Sequence, residues 1–225
     1  TRYLIGPRNA APAERTDLYQ HVRHERTGRV ISLASSKLSN HLGGGTLAIT
    51  RDGFLLVSKQ GRLALLSAGL YAPAGSGSFD WSDASNAVTL ADLIKRGLER
   101  ELREECKFDR EQVAQTIILG FGREMTRGGK PDFMGVTLVN AEAEPRIRIA
   151  EMGFIDQHHP IKLSAIDVPS LKAELEAIKV HEYWHASGAL LVTIQLLIDA
   201  ERSTHETILR FIHGDGVTAM ERAGT

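Results

Sequence analysis

The sequence predicts an α/β protein in which a mixed β-sheet is sandwiched by helices, with extra helices at the C-terminal end. Three observations predict it. Short β-prone runs flank a single strongly patterned helix between residues 46 and 139, two of them joined by the tight turn Arg51-Asp52-Gly53, and from Val168 onward the apolar spacing becomes helical. The length of 225 residues suits one domain, and 42 % apolar residues supply a core. We therefore expect one domain over 1–225, with an extension at 1–28 and a helical part at 165–225.

In chain order, residues 1–27 are polar, and Pro7 and Pro12 argue against a long regular element. Val30–Ser35, Thr46–Ile49 and Phe54–Ser58 read as strands. Gly43-Gly44-Gly45 allows either a close backbone approach or a bulge. Residues 72–88 read as a small-residue, turn-rich loop, and a helix follows from Thr89 to about Lys107. Thr89 is its expected N-cap and Asp92 its capping-box partner. Thr116–Leu119 and Phe133–Val139 are strands separated by a turn at Gly128-Gly129, and Ile147–Ile149 and Met152–Ile155 are weaker ones. Leu171, Leu175 and Ile178 mark one terminal helix. A second runs from about Ser187 to Ala200 and toward Ile212.

Composition excludes several classes. Net charge is −1, so bulk electrostatics predict neither a nucleic-acid nor a membrane-surface partner. The single cysteine, Cys106, excludes an intrachain disulfide framework and a cysteine-rich zinc site, and fits a reducing compartment. No apolar run reaches the roughly 18–20 residues that span a bilayer. With no secretory leader visible, the expected location is cytoplasmic.

The helix TLADLIKRGLERELREECK carries the functional signal. Leu90, Ile94, Leu98 and Leu102 form one stripe, while Arg96, Glu99, Arg100, Arg103 and Lys107 form a solvated face. Glu101 and Glu105 fall inside the apolar face, between Leu90 and Leu98 on the wheel, and Glu104 sits at its edge. Ionised carboxylates in a packed face cost several kcal/mol each unless compensated. A hard divalent cation resolves that conflict. The alternative is an ordinary charged amphipathic helix with a slightly shifted register.

Arg100-Glu101-Leu102-Arg103-Glu104-Glu105-Cys106-Lys107-Phe108 resembles the second half of the Nudix box, R-E-U-x-E-E-x-G-U with U apolar. Lys107 stands where the box has glycine. In the first half, strict spacing puts Asn86 at the glycine and Asp92 at the first glutamate. Pro73 to Ser78 looks like the proline-glycine loop that precedes the box, shifted upstream. The resemblance implies a Nudix-type α/β/α sandwich and a Mg²⁺- or Mn²⁺-dependent hydrolase. It would cleave a nucleoside-diphosphate-linked pyrophosphate of the nucleotide-sugar or dinucleotide type. It also implies that Glu101, Glu104 and Glu105 bind metal and that Arg100 orients a glutamate. A later carboxylate would assist, with Glu124, Glu142 and Glu151 as candidates. Arg123, Arg127 and Lys130 flank a glycine turn and are candidate phosphate contacts, or else a solvated hairpin tip. Phe79, Trp81 and Phe133 are candidates for base stacking, or core. A homodimer is compatible with the family, its interface being the apolar C-terminal helix unless that helix is core.

Two other readings compete. The altered first half of the box permits a catalytically weak ligand-sensing module. His181-Glu182-Tyr183-Trp184-His185 matches H-E-x-x-H, a zinc-protease signature if it lies on one helix. No third ligand is compelling at Glu201 or His205, and Ala186-Ser187-Gly188 reads as a helix break. The remaining histidine pairs, His21/His24 and His158-His159, read as loop residues.

Overall fold

The computed structural model describes residues 4–5, 16–17, 23, 27–36, 38, 40–64, 67–85, 87–125, 128–144, 152–181 and 185–214. Leu4–Ile5 (β1) and Thr16–Asp17 (β2) pair as a short antiparallel ribbon. The main sheet has seven strands: Gly43–Thr50 (β3), Phe54–Gln60 (β4), Tyr71–Pro73 (β5), Gly75–Ser78 (β6), Val113–Glu124 (β7), Lys130–Val139 (β8) and Ile155–Lys162 (β9). Its order is β5-β4-β3-β8-β7, with β6 added to β3 and β9 to β4. The β3–β8 pair is parallel and every other pair antiparallel, so the sheet is mixed as expected.

Helices cover both faces. Trp81–Ala84 (α1) and Leu90–Cys106 (α2) lie between β6 and β7 in the chain, and Val168–Lys179 (α3), Gly188–Ile198 (α4) and Arg202–Ile212 (α5) follow β9. Successive strand side chains point to opposite faces. Leu47, Ile49, Leu55 and Val57 accordingly join one core with Leu171, Leu175, Leu190, Ile194, Leu197 and Ile208 of the terminal helices. Ala48 and Leu56 face the other way and pack with Leu102 and Cys106 of α2. Both faces of β3 are covered, which is why all eight of its residues are buried. The terminal helices are therefore one outer layer of an α/β/α sandwich.

The turn at 51–53 forms as predicted: Gly53 has φ 78°, and its N–H donates to the Thr50 carbonyl at 2.9 Å. The glycine triplet is a close approach rather than a bulge, since a Cβ at Gly44 would meet the Phe133 carbonyl oxygen at 2.6 Å.

Several expectations need correction. In Val30–Ser35 only Val30 makes a β-bridge, to Arg23, and Leu33–Ser35 is a 3₁₀ turn. The segment at 72–88 is no loop but contains most of β5, then β6 and α1. Its small residues serve packing, because a Cβ at Gly75 would collide with the Leu102 backbone of α2. The weak strand at Met152–Ile155 is only a bridge between those two residues, and the true strand is β9. Pro160 and a lack of apolar alternation hid β9, and proline is tolerated there because β9 is an edge strand. The second terminal helix stops at Ile198 and α5 starts anew at Arg202. Leu90 is 61 % exposed and does not extend the buried stripe. The strand expected at Ile147–Ile149 lies outside the described residues.

Candidate active site

The site is built on α2. Thr89 caps its start: the Thr89 hydroxyl accepts from the Asp92 N–H at 3.1 Å, and the Asp92 carboxylate accepts from the Thr89 N–H at 2.9 Å. Asp92 is thus a capping residue of α2. At the far end Lys107 adopts the left-handed conformation, φ 58° and ψ 27°, that a glycine would take without strain.

Glu101 and Glu105 are 9 % and 7 % exposed, as the helical wheel requires. The Glu105 carboxylate accepts from the Ser76 N–H of β6 at 3.2 Å. A Cβ at Gly77 would sit inside contact distance of the Glu101 carboxylate, so glycine there leaves the space the carboxylate occupies. Burial pushes the Glu101 carboxyl up to about 7, against the opposing pull of Arg100. At Glu101 the cost of burial thus outweighs the attraction of Arg100.

Arg100 does not lie on a solvated face. Its Nη2 donates to Glu101 Oε1 at 3.0 Å and to the Ser78 carbonyl at 3.0 Å, and its Nη1 to Glu104 Oε2 at 2.9 Å. Nε and Nη2 grip Asp83 Oδ1 and Oδ2, both at 2.9 Å. The hydrogen bond to Asp83 and the surrounding carboxylates raise the Arg100 pKa, so it stays charged. Asp83 is the site residue that sequence reasoning missed. Its signal was the spacing Asp80-x-x-Asp83, a capping box in which the Asp80 N–H donates to Asp83 Oδ2 at 2.8 Å.

Among the described residues no three or more His, Cys, Asp or Glu side chains are grouped to hold a metal ion. Glu104, 41 % exposed, turns toward Arg100, while Glu101 and Glu105 share the buried edge one helical turn apart. That donor set fits Mg²⁺ or Mn²⁺ rather than a closed protein cage. Mg²⁺ typically takes one or two carboxylates and completes its shell with water and substrate phosphate.

The other candidates scatter. Arg123 Nε donates to the Gly129 carbonyl at 2.8 Å and Nη1 to the Ile31 carbonyl, bracing the β7–β8 hairpin. Its Nη2 is buried with no hydrogen-bond partner among the described residues. Lys130 is buried and pairs with Asp132 at 3.0 Å. Glu124 ends β7 opposite Lys130, and Glu142 is exposed. Arg127, Glu151 and Asn86 lie outside the described residues. Phe79 is core and stacks on Phe133 with centroids 6.3 Å apart, whereas Trp81 is 88 % exposed.

The zinc-protease pattern fails geometrically. His181 follows the end of α3 and His185 precedes Ser187, the α4 N-cap, so neither lies in a helix, and Glu182 is outside the described residues. Glu201 caps α5, and buried His205 spends Nε2 on the Leu197 carbonyl at 2.8 Å. His158 and His159 are not loop residues but part of β9. A recess of roughly 400 Å³ lined by His159, Lys162, Ile178 and His181 lies between β9 and α3, on the sheet face opposite α2. No helix among the described residues is long and apolar enough to cross a membrane.

A mixed sheet with the carboxylate-bearing α2 on one face and three helices on the other forms an α/β/α sandwich. The sequence matches no family model and no curated protein. Solved structures do match its fold. A Nudix hydrolase from Alicyclobacillus acidocaldarius is 14 % identical, covers 77 % of this chain and 97 % of its own, and superposes with a TM-score of 0.51. The Nudix domain of NrtR from Shewanella oneidensis, solved with ADP-ribose, is 14 % identical over 75 % of this chain and 92 % of its own, TM-score 0.48. A MutT Nudix hydrolase from Burkholderia pseudomallei is 18 % identical over 70 % and 97 %, TM-score 0.43. This chain has the Nudix fold.

Proposed function

We propose that this chain is a divalent-metal-dependent hydrolase of a nucleoside-diphosphate-linked pyrophosphate, of the nucleotide-sugar or dinucleotide type. The observation that carries the reading is the pair Glu101 and Glu105, two carboxylates buried one helical turn apart on the packed edge of α2. Residues 1–225 act as one domain in this reading, with no membrane or nucleic-acid partner and with a homodimer as its compatible assembly.

Glu101 and Glu105 hold Mg²⁺ or Mn²⁺, and Glu104 shares it or orients the attacking water. The bound metal supplies a more acidic water and neutralises charge developing on phosphate oxygens. Arg100 fixes the glutamate rotamers by charge-assisted hydrogen bonds, itself held by Asp83. The water oxygen bonds to phosphorus, the bridging anhydride oxygen leaves with its electron pair, and the water proton passes to a carboxylate. Glu124, Glu142 and Glu151 are the candidates for that base. Arg123, Arg127 and Lys130 are the proposed phosphate contacts, and the buried Arg123 Nη2 has no hydrogen-bond partner among the described residues.

The test is phosphate release from nucleotide sugars, dinucleotides and nucleoside triphosphates with Mg²⁺ or Mn²⁺, comparing wild type with Glu105→Gln. Metal-dependent turnover lost in the variant is expected. Nucleotide binding without turnover on any member would replace the hydrolase with a sensing module.

A further inference from the structure

Beneath the last turn of α2 lies a buried polar cluster that the proposed chemistry does not use. Ser58 of β4 and His158 of β9 are register partners, and His158 stands beneath the last turn of α2. Ser58 is fully buried, Cys106 is 1 % exposed and His158 is 9 % exposed. His158 Nε2 lies 3.1 Å from the Glu105 backbone carbonyl, and its Nδ1 lies 2.8 Å from Ser58 Oγ. The Ala74 carbonyl is 3.3 Å from both Ser58 Oγ and Cys106 Sγ.

The protons can be assigned by elementary chemistry. A carbonyl only accepts, so Nε2 carries the hydrogen that reaches Glu105. In a neutral ring Nδ1 then presents a lone pair, which the Ser58 hydroxyl fills at the shorter of its two distances. The Ala74 carbonyl takes the Cys106 thiol. Each proton is used once and each buried acceptor is satisfied.

Glu105 lies in the last turn of α2, where helix carbonyls run beyond the helix's own N–H donors. His158 supplies a donor from the sheet. Two residues beyond Ala74, the Ser76 N–H donates to the Glu105 carboxylate. Glu105 is therefore held at its backbone by β9 and at its side chain by β6. Ser58 backs the first attachment through His158 Nδ1, and Cys106, hydrogen-bonded to the Ala74 carbonyl and 3.7 Å from His158 Nδ1, lies between the two.

We infer that His158, backed by Ser58, is a positioning residue that sets where the Glu105 carboxylate stands relative to β6, acting through the Glu105 carbonyl. The inference rests on the metal reading of Glu105. Outer partners that orient a ligand typically account for about 10–100-fold in metal affinity.

The experiment titrates the full chain with Mn²⁺, with thermal unfolding of the metal-free protein measured alongside. The variants are His158→Ala, His158→Gln, Ser58→Ala and Glu105→Gln. Mn²⁺ binding should weaken about 10-fold or more in His158→Ala. It should recover to within a few-fold of wild type in His158→Gln, whose amide N–H reaches the same carbonyl. Ser58→Ala, the milder change, should weaken binding several-fold while staying folded, and it carries the test alone if His158→Ala does not fold. Mn²⁺ affinity unchanged in the folded variants, however far their Tm falls, would overturn the positioning role. So would equal losses in His158→Ala and His158→Gln. If wild type binds Mn²⁺ and Glu105→Gln does not, such a result removes only the positioning role. If wild type binds no Mn²⁺, the metal reading falls and the positioning role with it.

Discussion

Asp83 grips Arg100 through two parallel hydrogen bonds of 2.9 Å, joining a four-residue helix to the middle of α2 across 17 residues of chain. Asp83 is 4 % exposed and the Arg100 side chain 20 %. A fork of this kind needs the planar guanidinium, which lysine cannot imitate. Arg100→Lys and Asp83→Asn should each destabilise the protein by about 2–3 kcal/mol, read by urea denaturation. Wild-type stability in both variants would show that the fork does not hold the fold.

Glu101 makes stability depend on pH in the metal-free protein. Its folded carboxyl is raised to about 7 from 4.5, so the unfolded chain ionises first as pH rises. The stabilising contribution is complete below about pH 4.5 and is lost as pH climbs through 7. Melts in a chelator at pH 5 and pH 8 should show a loss in wild type that Glu101→Gln lacks. Added Mn²⁺ should restore wild type at pH 8 and leave the variant unmoved. Parallel pH profiles for the two proteins would contradict this.

Gly75 and Gly77 sit two residues apart on β6 and should answer differently to alanine. A Cβ at Gly75 meets the backbone of Leu102, which cannot give way, whereas one at Gly77 meets the Glu101 carboxylate, the end of a flexible side chain. Gly75→Ala should cost about 1–3 kcal/mol or more in stability. Gly77→Ala should fold nearly as well as wild type but bind Mn²⁺ at least about 10-fold more weakly, by analogy with the displacement of a metal-orienting group. Calorimetric titration and thermal melts separate the two effects.

Lys107 carries positive φ at the C-terminal cap of α2, where the left-handed conformation strains an L side chain by roughly 1–2 kcal/mol. Lys107→Gly removes that strain but loosens the unfolded chain. The net gain should be about 0.5–1 kcal/mol. A lower Tm in the glycine variant would mean that the lysine side chain contributes more than its backbone costs.

Legibility followed the range of the forces involved. The α2 boundaries could be read because capping and apolar periodicity act within a few residues, and Thr89 and Lys107 are its observed caps. The burial of Glu101 and Glu105 could be read because they share the wheel with Ile94, Leu98 and Leu102. Leu90 misled, since a helix's first turn can overhang the sheet that buries the rest. Strand β6 was illegible as a strand because Gly75-Ser76-Gly77-Ser78 was shaped by the closeness of α2, not by β-propensity. The same distance effect put Arg100 among the exposed residues, when its partners Asp83 and Ser78 come from outside its helix.

By itself, then, the sequence determined the α2 helix, its buried carboxylate edge and the alternation of strands around it, because those patterns repeat over one or two turns of backbone. Only the tertiary structure decided that Asp83 holds Arg100, that His158 belongs to a strand beneath Glu105, and that His181 and His185 lie outside any helix. Those outcomes depend on contacts between residues far apart in the chain. The energies of such contacts exist only once the sheet has brought its edges together.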